Sequence, residues 1–152
     1  MTTSNPIIRI VDDEAVVRKA LKFLLESEGW MVEAYEKGSE FLVEDRPSLI
    51  GCLILDVAMP EMNGLELYQR LRERKYEVPV IFLTGHGDVD IAVQAMKDGA
   101  LDFIQKPINE ERLLSAVAKA VRYDETQRGW TISEEEEKKC FPTLTSRAKQ
   151  IL

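Results

Sequence analysis

The sequence predicts a three-layer α/β sandwich around a mostly parallel sheet, and three observations carry that expectation. Short runs that are apolar at every position, such as Cys52-Leu53-Ile54-Leu55 and Val80-Ile81-Phe82-Leu83, read as strands covered on both faces. Segments with helical spacing separate them. The strand–helix alternation repeats five times between Ile7 and about Val121. Right-handed crossovers then place helices on both sides of one parallel sheet.

Each element has its own signal. Ile7-Ile8-Arg9-Ile10-Val11 is the first strand. Val17, Leu21, Leu24 and Leu25 recur at helical spacing, and Gly29 stops that helix. Trp30 to Tyr35 is less apolar and suits a sheet edge, and a short helix near Ser39 to Val43 fills the gap before Cys52. Leu65, Leu67 and Leu71 mark a helix opening near Asn63. After the fourth strand, Ile91, Ala92, Ala95 and Met96 mark a helix closed by Gly99. Asp102 to Gln105 is a second edge candidate. Asn109 caps the last helix, which runs through Leu113, Leu114, Val117 and Val121, with Glu110 and Glu111 in the first turn, where negative charge is favoured.

Composition narrows the function. The chain has 152 residues and a formal charge of -7, which argues against a nucleic-acid-binding surface, since phosphate contacts need clustered Lys and Arg. No apolar run approaches the roughly 18–20 residues needed to cross a bilayer, and Met1 to Pro6 lacks an apolar signal core. Cys52 opens an apolar run and reads as a small buried hydrophobe; Cys140 lies far away, and neither a disulfide nor a metal pairing is expected. The expectation is a reduced, cytoplasmic protein.

Beyond Tyr123 the character changes. Asp124 to Lys139 is strongly polar and includes four consecutive glutamates, Glu134 to Glu137. Ser133 with Glu136 forms a capping-box pattern for a short linker helix, and an unstructured acidic linker is an equal alternative. Pro142 breaks the chain, and Thr145 is a candidate cap for a further helix.

Polar groups at the strand ends point to the chemistry. Asp12 and Asp13 follow the first strand, Asp56 the third, Thr84 the fourth and Lys106 the fifth. In a parallel sheet all five emerge at the carboxyl edge, where ligands of such folds bind. Three carboxylates brought together raise one another's pKa unless a cation joins them. Mg²⁺ fits best, because it takes one or two carboxylates and keeps waters and substrate oxygens. An aspartate can itself attack phosphorus. Phosphoryl transfer then needs positive charge and a hydrogen-bond donor on the transferred oxygens, which the cation, Lys106 and Thr84 would supply. Taken singly, each aspartate could be a solvated strand end, Lys106 a surface lysine and Thr84 a helix cap. Their joint placement argues otherwise.

Several stretches resemble the receiver domains of two-component response regulators: Val11-Asp12-Asp13-Glu14, Leu55-Asp56-Val57-Ala58-Met59-Pro60 with Asn63-Gly64 behind it, Leu83-Thr84-Gly85, and Asp102-Phe103-Ile104-Gln105-Lys106-Pro107. The resemblance covers about residues 6 to 122. It implies a flavodoxin-like sheet of strand order 2-1-3-4-5 and Asp56 as the phosphoacceptor. It places Mg²⁺ on Asp13, Asp56 and the backbone carbonyl of Ala58, with Asp12 orienting metal waters. It pairs Lys106 with the phosphoryl group or with Asp56, makes Thr84 and Phe103 a switch pair, and makes the peptide before Pro107 cis. It also implies a sensor histidine kinase as partner and a homodimer formed on phosphorylation through the fourth helix, fifth strand and fifth helix.

Thr143-Leu144-Thr145-Ser146-Arg147 with Ile151-Leu152 is similar to the start of the helix-turn-helix effector that follows receivers in nitrogen-fixation and quorum-sensing regulators, although Ala148 stands where a glutamate usually follows the arginine. The expected organisation is therefore a receiver over 1–122, a linker over 123–142 and the start of a DNA-binding domain over 143–152. DNA would be bound only through the remainder of that domain. His86 is expected in a flexible loop without a catalytic role, Trp30 and Trp130 are expected to be structural, and Gly85-His86-Gly87 is too short for a phosphate-binding loop. Two competing readings are a small Mg²⁺-dependent phosphatase, disfavoured because Ala58 stands where such enzymes place a second acid, and an unmodified adaptor with a vestigial acidic pocket.

Overall fold

The computed structural model describes residues 6–85 and 88–140, with side chains described to residue 128. Five strands and five helices alternate: β1 Ile7–Val11, α1 Ala15–Ser27, β2 Met31–Tyr35, α2 Gly38–Glu44, β3 Gly51–Asp56, α3 Gly64–Glu73, β4 Val80–Thr84, α4 Val89–Lys97, β5 Asp102–Gln105 and α5 Glu110–Cys140. The strands are all parallel in the order β2-β1-β3-β4-β5. Both edge assignments read from the sequence hold, and the central strands β1, β3 and β4 are buried along their whole length.

The side-chain alternation of the strands splits the core in two. Ile8, Ile10, Ile54, Ile81 and Leu83 face one way, against Leu21 and Leu25 of α1 and Leu113, Val117 and Val121 of α5. Val11, Leu53, Leu55, Val80 and Phe82 face the other way, against Phe41 of α2, Leu67 and Leu71 of α3 and Ala95 of α4. Cys52 belongs to the first cluster and is fully buried, which pushes its thiol up to about 12; it is a core residue rather than a nucleophile.

Helix ends follow the sequence signals. Asn63 caps α3 in a reciprocal box: its side chain accepts from the Glu66 N–H, and the Glu66 carboxylate accepts from the Asn63 N–H. The Arg112 N–H donates to the Asn109 side chain at 2.9 Å and closes the start of α5. Gly29 and Gly99, both at positive φ, follow α1 and α4.

The last helix differs from the expectation. Ser133 opens no new helix; α5 is continuous from Glu110 to Cys140. No proline interrupts that stretch, and Gly129 alone costs only about 1 kcal/mol in a helix interior. Glu134 and Glu135 also precede Lys138 and Lys139 by four residues, a spacing that supports helix. Asp124 is not a solvated residue: it is 1% exposed, and its carboxylate accepts from the Gly51 N–H at 3.0 Å and from Arg128 Nε at 3.0 Å. The readings of His86, the Trp130 and Cys140 side chains, and everything from Pro142 through the effector-like stretch lie outside the described residues.

Candidate phosphoacceptor site

The carboxyl ends of the parallel strands bring the acidic residues together. Asp56 is the last residue of β3, and Asp12 and Asp13 directly follow β1, its neighbour in the sheet. Asp12 and Asp56 are buried at 0% and 3% exposure, and Asp13 is half-buried. One carboxylate oxygen from each of the three lies within 4.8 Å of the others. Gly64 lets the start of α3 lie against the end of β3, because a Cβ there would collide with the Asp56 carbonyl and the Val57 backbone. The Gly64 N–H instead donates to the Val57 carbonyl at 2.8 Å and holds the loop after β3 against the strand end.

Lys106 follows β5 and reaches back across the edge. Its backbone N–H donates to the Thr84 carbonyl at 2.7 Å, and the Lys106–Pro107 peptide is cis. Its ammonium lies 3.3 Å from Glu14, 3.4 Å from Asp56 and 3.7 Å from Asp12. Thr84 ends β4 and is 1% exposed. Phe103 stands beside Phe82 in the β4–β5 register, half-buried against the core on the α2–α3–α4 side. Ala58 is exposed, and its N–H donates to Asp56 Oδ1 at 3.4 Å.

The electrostatics are those of an acidic cluster short of positive charge. Burial pushes Asp56 up to about 6, the charge of Asp12 adds to this, and Lys106 only partly opposes it. Burial likewise raises Asp12, against the Glu14 N–H bond and Lys106. Burial alone would lower Lys106, but the charges of Asp12, Asp56 and Glu14 outweigh it and hold the ammonium protonated. Among the described residues, Asp12 Oδ2 and Asp13 Oδ1 are buried oxygens with no hydrogen-bond donor. Buried carboxylate oxygens are normally hydrogen-bonded or coordinate a metal. The donor set, oxygen atoms within a few ångströms of one another, suits a hard divalent cation. Asp12, Asp13 and Asp56 could therefore hold a metal ion.

Sequence reasoning found Asp12, Asp13, Asp56, Thr84 and Lys106 because each closes a strand. It did not assign Glu14 a contact with Lys106, 92 positions away. It also gave no role to Arg112, which grips both oxygens of Asp102 at 2.8 and 2.9 Å and the Phe103 carbonyl at 3.1 Å. Only the folded sheet reveals those pairings.

Comparison with known proteins agrees with this geometry. The response regulator receiver domain family matches residues 8–118. The response regulator protein TodT of Pseudomonas putida is 41% identical over all 152 residues, which span 67% of that protein. The transcriptional regulatory protein FixJ of Bradyrhizobium diazoefficiens is 41% identical over 126 residues, 82% of this chain and 60% of that one. The chain thus spans about two thirds of the length of these relatives. Among solved structures, response regulator StyR superposes with a TM-score of 0.81 at 38% identity, covering 95% of this chain and 73% of its own. Fold, acidic edge and family match agree: this chain belongs to the response regulator receiver domain family, whose members act in two-component signalling with histidine kinases.

Proposed function

We propose that this chain is a phosphorylation switch in which Asp56 accepts a phosphoryl group from a histidine kinase. The supporting observation is the convergence of Asp12, Asp13 and Asp56 on one edge with the Lys106 ammonium 3.4 Å from Asp56. An Asp56 carboxylate oxygen attacks phosphorus, the bond from phosphorus to the donor imidazole breaks, and its electron pair stays on the imidazole nitrogen. Mg²⁺, held by Asp13, Asp56 and the Ala58 carbonyl with Asp12 beside it, would supply charge to the transferred oxygens. Lys106 supplies the second cation, and the Thr84 hydroxyl donates to the phosphoryl oxygens. Domain turnover is limited to the chain's own phosphorylation and dephosphorylation.

The added phosphoryl group carries about -1.5 to -2 charges. Thr84 moves toward it, Phe103 turns inward, and the α4–β5–α5 face changes so that two receivers pair. Because the relatives are transcriptional regulators, the output is transcription in the cytoplasm, through a DNA-binding domain that residues 143–152 would begin after a linker over 123–142. The chain binds no membrane in this reading; among the described residues no helix is long and apolar enough to cross one.

Incubation with acetyl phosphate and Mg²⁺, read by intact mass, tests the assignment. A labile gain of about 80 Da, lost in Asp56→Asn, is expected for a phosphorylated aspartate. Repeated turnover of a phosphomonoester would instead support a phosphatase, and an unchanged mass an adaptor. Sedimentation with beryllofluoride and Mg²⁺ tests the pairing of receivers; unchanged self-association would remove that part.

A further inference from the structure

We infer that Glu14 is a positioning residue that holds the Lys106 ammonium back from Asp56 and so limits how tightly the site takes a phosphoryl group. The inference rests on the phosphoacceptor reading above. Lys106 is not seated on any one partner. Its three contacts, at 3.3, 3.4 and 3.7 Å, all exceed the 2.7–2.9 Å typical of a charge-assisted N–H···O bond. The ammonium is shared by two buried carboxylates, Asp12 and Asp56, and by Glu14, whose side chain is 59% exposed.

Among the described residues, the Glu14 side chain has no other hydrogen-bond or ion-pair partner. Glu14 occupies the N-cap of α1, yet its side chain makes no cap hydrogen bond. Its backbone is fixed on both sides: the N–H donates to Asp12 Oδ1 at 2.9 Å, and the carbonyl accepts from the Arg18 N–H at 2.9 Å. The side chain is thereby aimed across the edge at Lys106. A phosphoryl group on Asp56 would need the same ammonium that Glu14 approaches at 3.3 Å. Glu14, the exposed one of the three carboxylate partners, pulls the ammonium toward itself. Moving Lys106 onto the phosphoryl oxygens must overcome that pull, which water partly screens, so the effect is a matter of a few-fold.

The test compares the apparent affinity for beryllofluoride at fixed Mg²⁺, read from backbone amide resonances, in the wild type and three variants. Glu14→Gln removes the charge and is expected to tighten binding by about two- to fivefold. Glu14→Asp keeps the charge but is one methylene too short for the contact, and is expected to shift in the same direction. Glu61→Gln removes an equal charge from the exposed loop after β3, a residue that is not among the ion-pair partners of Lys106, and is expected to match the wild type. Unchanged or weaker binding in Glu14→Gln overturns the inference. Wild-type behaviour in Glu14→Asp, or an equal gain in Glu61→Gln, also overturns it, since either points to general repulsion rather than to Lys106. Absence of wild-type binding overturns the phosphoacceptor reading and this inference with it.

Discussion

The two ends of the sheet treat buried charge in opposite ways. At the amino end, Arg9 is 1% exposed in the middle of β1, with Nε on Asp45 at 2.8 Å and Nη2 on the Arg46 and Leu49 carbonyls at 2.8 and 2.7 Å. The Tyr76 hydroxyl donates to the other Asp45 oxygen at 2.9 Å, and Asp124 is shared by the Gly51 N–H and Arg128. Among the buried side-chain atoms of the described residues there, Arg9 Nη1 lacks a partner. At the carboxyl end, Asp12, Asp13 and Asp56 gather beside the Lys106 ammonium, which lies 3.4 Å from Asp56 and 3.7 Å from Asp12, and among the described residues two of their buried oxygens, on Asp12 and Asp13, have no donor. Among the described residues, one end, the floor, finds its partners within the chain, and the other, the rim, keeps buried carboxylate oxygens without a donor.

Breaking the matched end should have the largest effect. Arg9→Ala leaves the Asp45 carboxylate buried without its cation and is expected to cost about 3–5 kcal/mol in urea unfolding. A loss well below 1 kcal/mol would mean that this end is no better matched than the rim.

The same experiment at the open end should change sign. Asp56 carries a folded-state pKa raised from 3.8 to about 6, so its ionised form opposes folding once pH passes through that range. Asp56→Asn is therefore expected to stabilise the metal-free protein at pH 7, by about 1–3 kcal/mol. Destabilisation would show that the carboxylate is already matched.

These contrasts also show what the sequence could reveal. The strands and the rim were legible because apolar runs end on acidic or cationic residues, as at Leu55-Asp56 and Gln105-Lys106. Side-chain period and burial fix that relation locally. The floor was not legible. Arg9 interrupts an apolar run without announcing Asp45, 36 positions on, and Asp124 stands in a polar stretch that gives no hint of burial. Likewise α5 runs past the point where its apolar pattern ends, because helix continues in the absence of a breaker. Pairings across the sheet depend on topology, and the sequence states only their two halves.

A third, smaller case lies between the two ends. Burial pushes Asp102 up, but the Arg112 hydrogen bonds, the Phe103 N–H and the Arg112 charge outweigh it and hold the carboxyl below 3.8. A depressed folded-state pKa gives stability that is present above the unfolded value and lost as pH falls through the folded one. The pair is partly exposed, so the effect is expected to stay below about 1 kcal/mol. Urea midpoints between pH 5 and 2.5 should fall less steeply in Arg112→Gln than in the wild type. Parallel curves would show that the pair contributes nothing.

The claim beneath all of this is that the acidic rim is incomplete until a divalent cation joins it. Thermal unfolding of the wild type against increasing Mg²⁺, beside Asp13→Asn, measures that directly. The account predicts that wild-type stability rises with Mg²⁺, by about 2.7 kcal/mol at one hundred times the dissociation constant, and that Asp13→Asn loses most of the response. A wild-type curve indifferent to Mg²⁺, or an equal response in Asp13→Asn, would contradict it.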